Sequence, residues 1–96
     1  MPKKTIRSRY QRRILDWLLD GGGTVSQASD VLGIAMPHAS LAMRQLRELG
    51  EVQRDDSGSI RGAIHRLTPK GAEHLLMDLV ERIRQRVGTI PDGMNA

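Results

Sequence analysis

Apolar residues recur along this chain in two rhythms, and the change from one to the other marks its elements. Tyr10, Ile14, Trp17 and Leu18, with Leu15 and Leu19 beside them, fall on one side of a helix predicted over residues 8–20. Ser8 is suited to cap it. Gly21, Gly22 and Gly23 break it and read as a flexible hinge. Thr24 and Gln27 then have the spacing of a capping box, and Val25, Ala28 and Leu32 share the face of a second helix. Gly33 stops that helix, because a residue without Cβ enters the left-handed conformation cheaply. Ile34 can plug the turn, and Pro37 suits the start of a third helix. Ala39, Ala42, Met43, Leu46 and Leu49 form its inward stripe, and Gly50 ends it. The rhythm then shortens to two. Val52 to Arg54 make a short strand, residues 55–59 a turn carrying Ser57 and Gly58, and residues 60–67 a second strand. Arg61, Ala63, His65 and Leu67 share one face of it, and Ile60, Gly62, Ile64 and Arg66 the other. Thr68 and Pro69 open a last helix that runs to Val87, where Gly88 and Pro91 stop it.

This order predicts a mainly α (α+β) fold, a winged helix-turn-helix of three helices, a β-hairpin wing and a C-terminal helix. The third helix is the recognition helix of such a motif. With 96 residues the chain has room for one small domain, over residues 10–87. Residues 1–9 read as a basic, mobile arm and residues 88–96 as a disordered tail. A core this small is marginal alone, so a dimer interface would help it.

Charge sharpens the picture. Lys and Arg number 15 against 11 Asp and Glu, a formal +4. Residues 1–13 hold Lys3, Lys4, Arg7, Arg9, Arg12 and Arg13 with no acid among them, which suits either an arm along phosphates or a solubilising tail. The absence of cysteine excludes disulfides and thiolate zinc sites. No signal-peptide pattern and no membrane-length apolar run is visible, so a soluble, cytoplasmic protein with no membrane partner is expected. His38, His65 and His74 lie in different elements without metal-ligand spacing, and no Ser/His/Asp arrangement is recognisable. No enzyme activity, metal or cofactor is expected, and His74 reads as a solvated side chain. The glycine run lacks the Lys-Ser/Thr that a phosphate loop requires.

The candidate chemistry is recognition of double-stranded DNA. Pro37, Leu41, Arg44 and Glu48 lie opposite the apolar stripe of the third helix, flanked by His38, Ser40, Gln45 and Arg47. Arg44 can reach guanine edges or a phosphate, Gln45 can pair adenine bidentately, and Ser40 and His38 suit either. Met36, Pro37 and Leu41 are apolar on this outward side and suit thymine methyls or a protein partner. The wing offers Arg54, Arg61, His65 and Arg66, with Asp55 and Asp56 nearby. A wing arginine is drawn to the negative potential of a narrow minor groove.

The last helix carries Ala72, Leu75, Leu76, Leu79, Val80, Ile83 and Val87 on a stripe about 140° wide, taking 100° per residue. Leu76, Val80, Ile83 and Val87 have the spacing of a coiled-coil seam and are the candidate homodimer contact, with Leu75 and Leu79 packing inward. A single broad core-facing stripe is the alternative.

Leu32-Gly33-Ile34, Ser40, Met43, Leu46, Leu49-Gly50 and Val52, followed by Arg61 and Leu67-Thr68-Pro69-Lys70-Gly71, resemble the winged helix-turn-helix transcription regulators of the MarR/ArsR type. The resemblance covers residues 10–87 and implies DNA binding, with Ser40 at a position that often touches DNA and Arg61 as the wing arginine. Ser59 stands where that pattern usually has Asp, and Ala28-Ser29 where it usually has Leu-Ala. The resemblance names no effector ligand. The other reading is a protein-interaction winged helix or the DNA-anchoring module of a larger assembly.

Overall fold

The computed structural model describes residues 6, 8–55 and 62–88. Its elements are α1 (Arg9–Leu18), α2 (Val25–Leu32), α3 (Met36–Glu48), β1 (Val52–Asp55), β2 (Ile64–Leu67) and α4 (Pro69–Val87). Helix ends follow the local chemistry. The Ser8 hydroxyl accepts the Gln11 N–H, Thr24 and Gln27 form the reciprocal capping box, and Thr68 caps α4 ahead of Pro69. Gly33 ends α2 in the left-handed conformation at φ 65°.

α1, α2 and α3 pack around Ile14, Leu15, Leu18, Ala28, Ile34, Ala39, Ala42, Met43 and Leu46, all buried. Each large apolar side chain so buried stabilises the fold by about 1.5–3 kcal/mol. β1 and β2 pair antiparallel, with Val52 opposite Leu67 and Arg54 opposite His65. Val52 is buried and Leu67 packs against the core, which seats the hairpin on the helices.

Several positions differ from the sequence-based expectation. α1 stops at Leu18, and Leu19 and Tyr10 are exposed. The glycine run is no hinge. Gly23 N–H donates to the His65 carbonyl at 3.0 Å, and His65 N–H donates back at 2.7 Å, so Gly23 adds a one-residue bridge to the wing. A Cβ on Gly23 would stand 2.2 Å from Cη2 of Trp17, so only glycine fits. Among the described residues β2 begins at Ile64, later than the expected start. Leu49, expected inward, is exposed after the helix ends at Glu48.

One residue of the stretch expected to be mobile is held in place. Ile6 is buried in the core, and its N–H donates to Asp78 Oδ1 at 3.0 Å. Asp78 is 0% exposed and takes the inward position at the middle of α4. Leu79, expected to pack inward, is 46% exposed, because Gly71, Leu75 and Asp78 form the inner face instead. Lys3, Lys4, Arg7, Arg61, the turn from Asp56 and the tail beyond Gly88 lie outside the described residues.

Candidate nucleic-acid interface

The burial of Ala39, Ala42, Met43 and Leu46 fixes which way α3 faces. Its other side presents His38, Ser40, Leu41, Arg44 and Gln45, all exposed, together with Met36 and Pro37. Pro37 occupies the first turn, and no side chain caps the helix start at Ala35. Arg44 Nε lies 3.8 Å from Glu48 Oε1, with both side chains more than 60% exposed. Such a pair is held weakly in water, so the guanidinium can exchange it for another anion.

Two of the candidates also touch α1. Gln11 Nε2 donates to Gln45 Oε1 at 2.9 Å, and the His38 ring stacks on Tyr10 with centroids 5.2 Å apart. A carbonyl oxygen has two lone pairs and the Gln45 amide keeps its own donors, so the residue can still meet a base edge. α1 and α3 are thus joined beside this face by one hydrogen bond and one ring stack.

Arg47 and His65 have a different role from the one their positions suggested. Arg47 Nη1 lies 2.7 Å from His65 Nε2. A guanidinium has only donors, so Nε2 accepts, which assigns the ring proton to Nδ1. His65, expected on the wing surface, is buried. With the Gly23 bridge, this bond holds the wing against the recognition helix. Arg54 and Arg66 are exposed on β1 and β2.

His74 also departs from its expected solvated state. It is half-buried, and its Nδ1 lies 2.5 Å from Oε1 of the buried Glu51. Among the basic residues of the first stretch, Arg12 serves the fold. Its Nε donates to Asp78 Oδ2 at 2.9 Å, and its Nη2 donates to the Ile6 carbonyl at 2.8 Å. Arg13 donates to the Leu32 carbonyl at the end of α2. Burial alone pushes the Asp78 carboxyl up, but the hydrogen bonds from Arg12 and the Ile6 N–H, with the charges of Arg12 and Arg82, bring it below its ordinary value. The one sequence signal for this group is an acid set in the apolar run Leu75-Leu76-Met77-Asp78-Leu79-Val80.

Leu76, Ile83 and Val87 are exposed and Val80 is half-buried on the outer side of α4. Among the described residues no helix is long and apolar enough to cross a membrane.

No protein-family model and no curated protein matches the sequence. Solved structures do match. One is a MarR family transcription regulator, with TM-score 0.73, 21% identity, and coverage of 85% of this chain and 55% of that one. Another is the transcriptional regulator BldR from Sulfolobus solfataricus, with TM-score 0.70, 21% identity, and coverage of 88% and 64%. A third is a MepR variant from S. aureus bound to an oligodeoxyribonucleotide, with TM-score 0.69, 20% identity, and coverage of 92% and 69%. The fold is therefore the winged helix-turn-helix found in MarR-family regulators. This chain spans between about half and two thirds of the length of the first two.

Proposed function

We propose that this protein is a transcription regulator that binds double-stranded DNA as a homodimer, without enzymatic activity. α3 enters the major groove and the wing lies at the minor groove. The observation that carries the reading is the outward side of α3. It gathers His38, Ser40, Leu41, Arg44 and Gln45 on a helix locked from behind by the core and from the side by the wing. The DNA-bound state of the MepR variant supports it. Arg44 and Gln45 read base edges, Ser40 and His38 meet bases or phosphates, and Leu41 packs on a thymine methyl. Arg54 and Arg61 serve the wing, and Lys3, Lys4 and Arg7 extend the phosphate contacts. Leu76, Val80, Ile83 and Val87 join the two copies.

The test is a titration of random and genomic duplex DNA at several salt concentrations, with the parent and with Arg44→Ala and Arg61→Ala. Arg44→Ala costs about 1–3 kcal/mol and relaxes preference at one position of the site. Arg61→Ala weakens binding with less change in preference, outside A-tract sites. If the double variant binds as tightly as the parent at about 0.1 M salt, where distant charges are screened, the assignment is wrong. The exposed Met36 and Leu41, beside Pro37, then favour the second reading, a protein-binding face on the same helix.

A further inference from the structure

We propose that α4 pairs with the α4 of a second copy antiparallel, with the two-fold axis passing between Leu79 and Val80. This rests on the reading that the protein is a dimer through α4, and adds the direction and register of the contact.

The outer side of α4 is set apart from its inner side. With about 100° per residue, Gly71, Leu75 and Asp78 centre near one direction, and Ala72, Leu76, Leu79, Val80, Ile83 and Val87 centre about 120° away. Leu76, Leu79, Ile83 and Val87 are exposed, and together they exceed the scattered apolar residues of an ordinary surface.

The spacing of that outer stripe reads the same in both directions. Ala72 mirrors Val87, Leu76 mirrors Ile83, and Leu79 mirrors Val80. A two-fold contact needs a surface complementary to itself, and an antiparallel pair turns this mirror spacing into matched levels. Leu76 then faces Ile83 of the second copy, and Leu79 and Val80 each meet their own counterparts on opposite sides of the axis. Charge agrees with the direction. Glu73 and Arg84 border the same flank of the stripe, near opposite ends, and both are exposed. The antiparallel arrangement brings each Glu73 beside the second copy's Arg84. A parallel pair would instead gather Arg82, Arg84 and Arg86 of both copies at one end, where like charges repel.

The chain has no cysteine, so introduced thiols report the register directly. The probe is the full chain carrying Val80→Cys, Val87→Cys or Ala72→Cys, mildly oxidised and read on a non-reducing gel. In this register, with axes about 8–10 Å apart and Cα atoms about 2.3 Å off each axis, the two Val80 Cα atoms come to about 5–7 Å, which overlaps the separation of about 4.4–6.8 Å that a disulfide accepts. The two Val87 positions are about 22 Å apart along the axis, from a rise of 1.5 Å per residue. Val80→Cys gives a covalent dimer, Val87→Cys alone does not, and a mixture of Ala72→Cys with Val87→Cys gives the linked pair. Efficient linking of Val87→Cys to itself overturns the antiparallel register. So does failure of Val80→Cys to link when light scattering shows the parent to be a dimer, and in both cases the dimer reading stands. A parent that is monomeric at tens of micromolar (an order-of-magnitude choice for a weak dimer) overturns the dimer reading and the register together.

Discussion

Arg12 and Asp78, 66 positions apart in the chain, are joined by two hydrogen bonds, 2.9 Å from Nε to Oδ2 and 3.1 Å from Nη2 to Oδ1. The same carboxylate accepts the Ile6 N–H. One buried acid therefore ties together the segment before α1, α1 itself and the middle of α4. Ile6 is thereby held against the middle of α4.

Breaking that pair from one side is expected to cost about 3 kcal/mol, because it strands a buried charge. Arg12→Met and Asp78→Leu are the two single variants, and their combination is the double variant that closes the cycle. The double variant should lose less than the two single changes added together, as read from urea unfolding. Equal and additive losses would mean that the two groups act independently.

Acid should act through the same carboxyl. Its value is lowered in the folded state, so its contribution is fully present above the ordinary aspartate value of about 3.9 and disappears as pH falls through the lower folded value. Stability should therefore drop below about pH 4 in the parent, and Asp78→Asn should flatten that part of the profile. An unchanged acid limb in Asp78→Asn assigns the drop to other carboxyls.

Gly23→Ala tests the close approach of the glycine run to the Trp17 ring of α1. The added Cβ would stand 2.2 Å from Cη2 and 2.8 Å from Cζ2 of Trp17, so the edge of a rigid indole ring would have to move. We expect a loss of about 1–3 kcal/mol, typical of overpacking. Trp17 is the single tryptophan, so its emission reports the disturbance without interference. Unchanged emission and melting temperature would show that the loop yields freely.

Shortening the arm separates charge from anchoring. Removing residues 1–5 deletes Lys3 and Lys4 but keeps Ile6. The melting temperature should hold, and the salt slope of DNA binding should shrink by up to about 0.9 for each phosphate no longer neutralised. Removing residues 1–7 also takes away buried Ile6, so stability should fall by about 1.5–3 kcal/mol. A salt slope unchanged in the shorter deletion would make the arm a solubilising tail.

Local chemistry settled much of this protein from the sequence alone. Ser8, Thr24 with Gln27, Gly33, and Thr68 with Pro69 each act within a few residues, so the starts of α1, α2 and α4 and the stop of α2 were legible. The apolar periodicity identified the buried side of α3, and thereby the outward side that carries Arg44 and Gln45. Contacts between distant residues were not legible in this way. Nothing near Gly23 announces that it pairs with His65, and nothing near Arg47 announces that it turns to the wing instead of to solvent. His74 looked solvated until Glu51 came to lie beside it. The inner face of α4 was the least readable. Hydrophobicity pointed to Leu79, yet the inward position went to Asp78, because Arg12 and the Ile6 N–H supply the donors that make a buried carboxylate tolerable. Those donors lie far away in the chain, so only the tertiary structure could decide which side of α4 is left open for a partner.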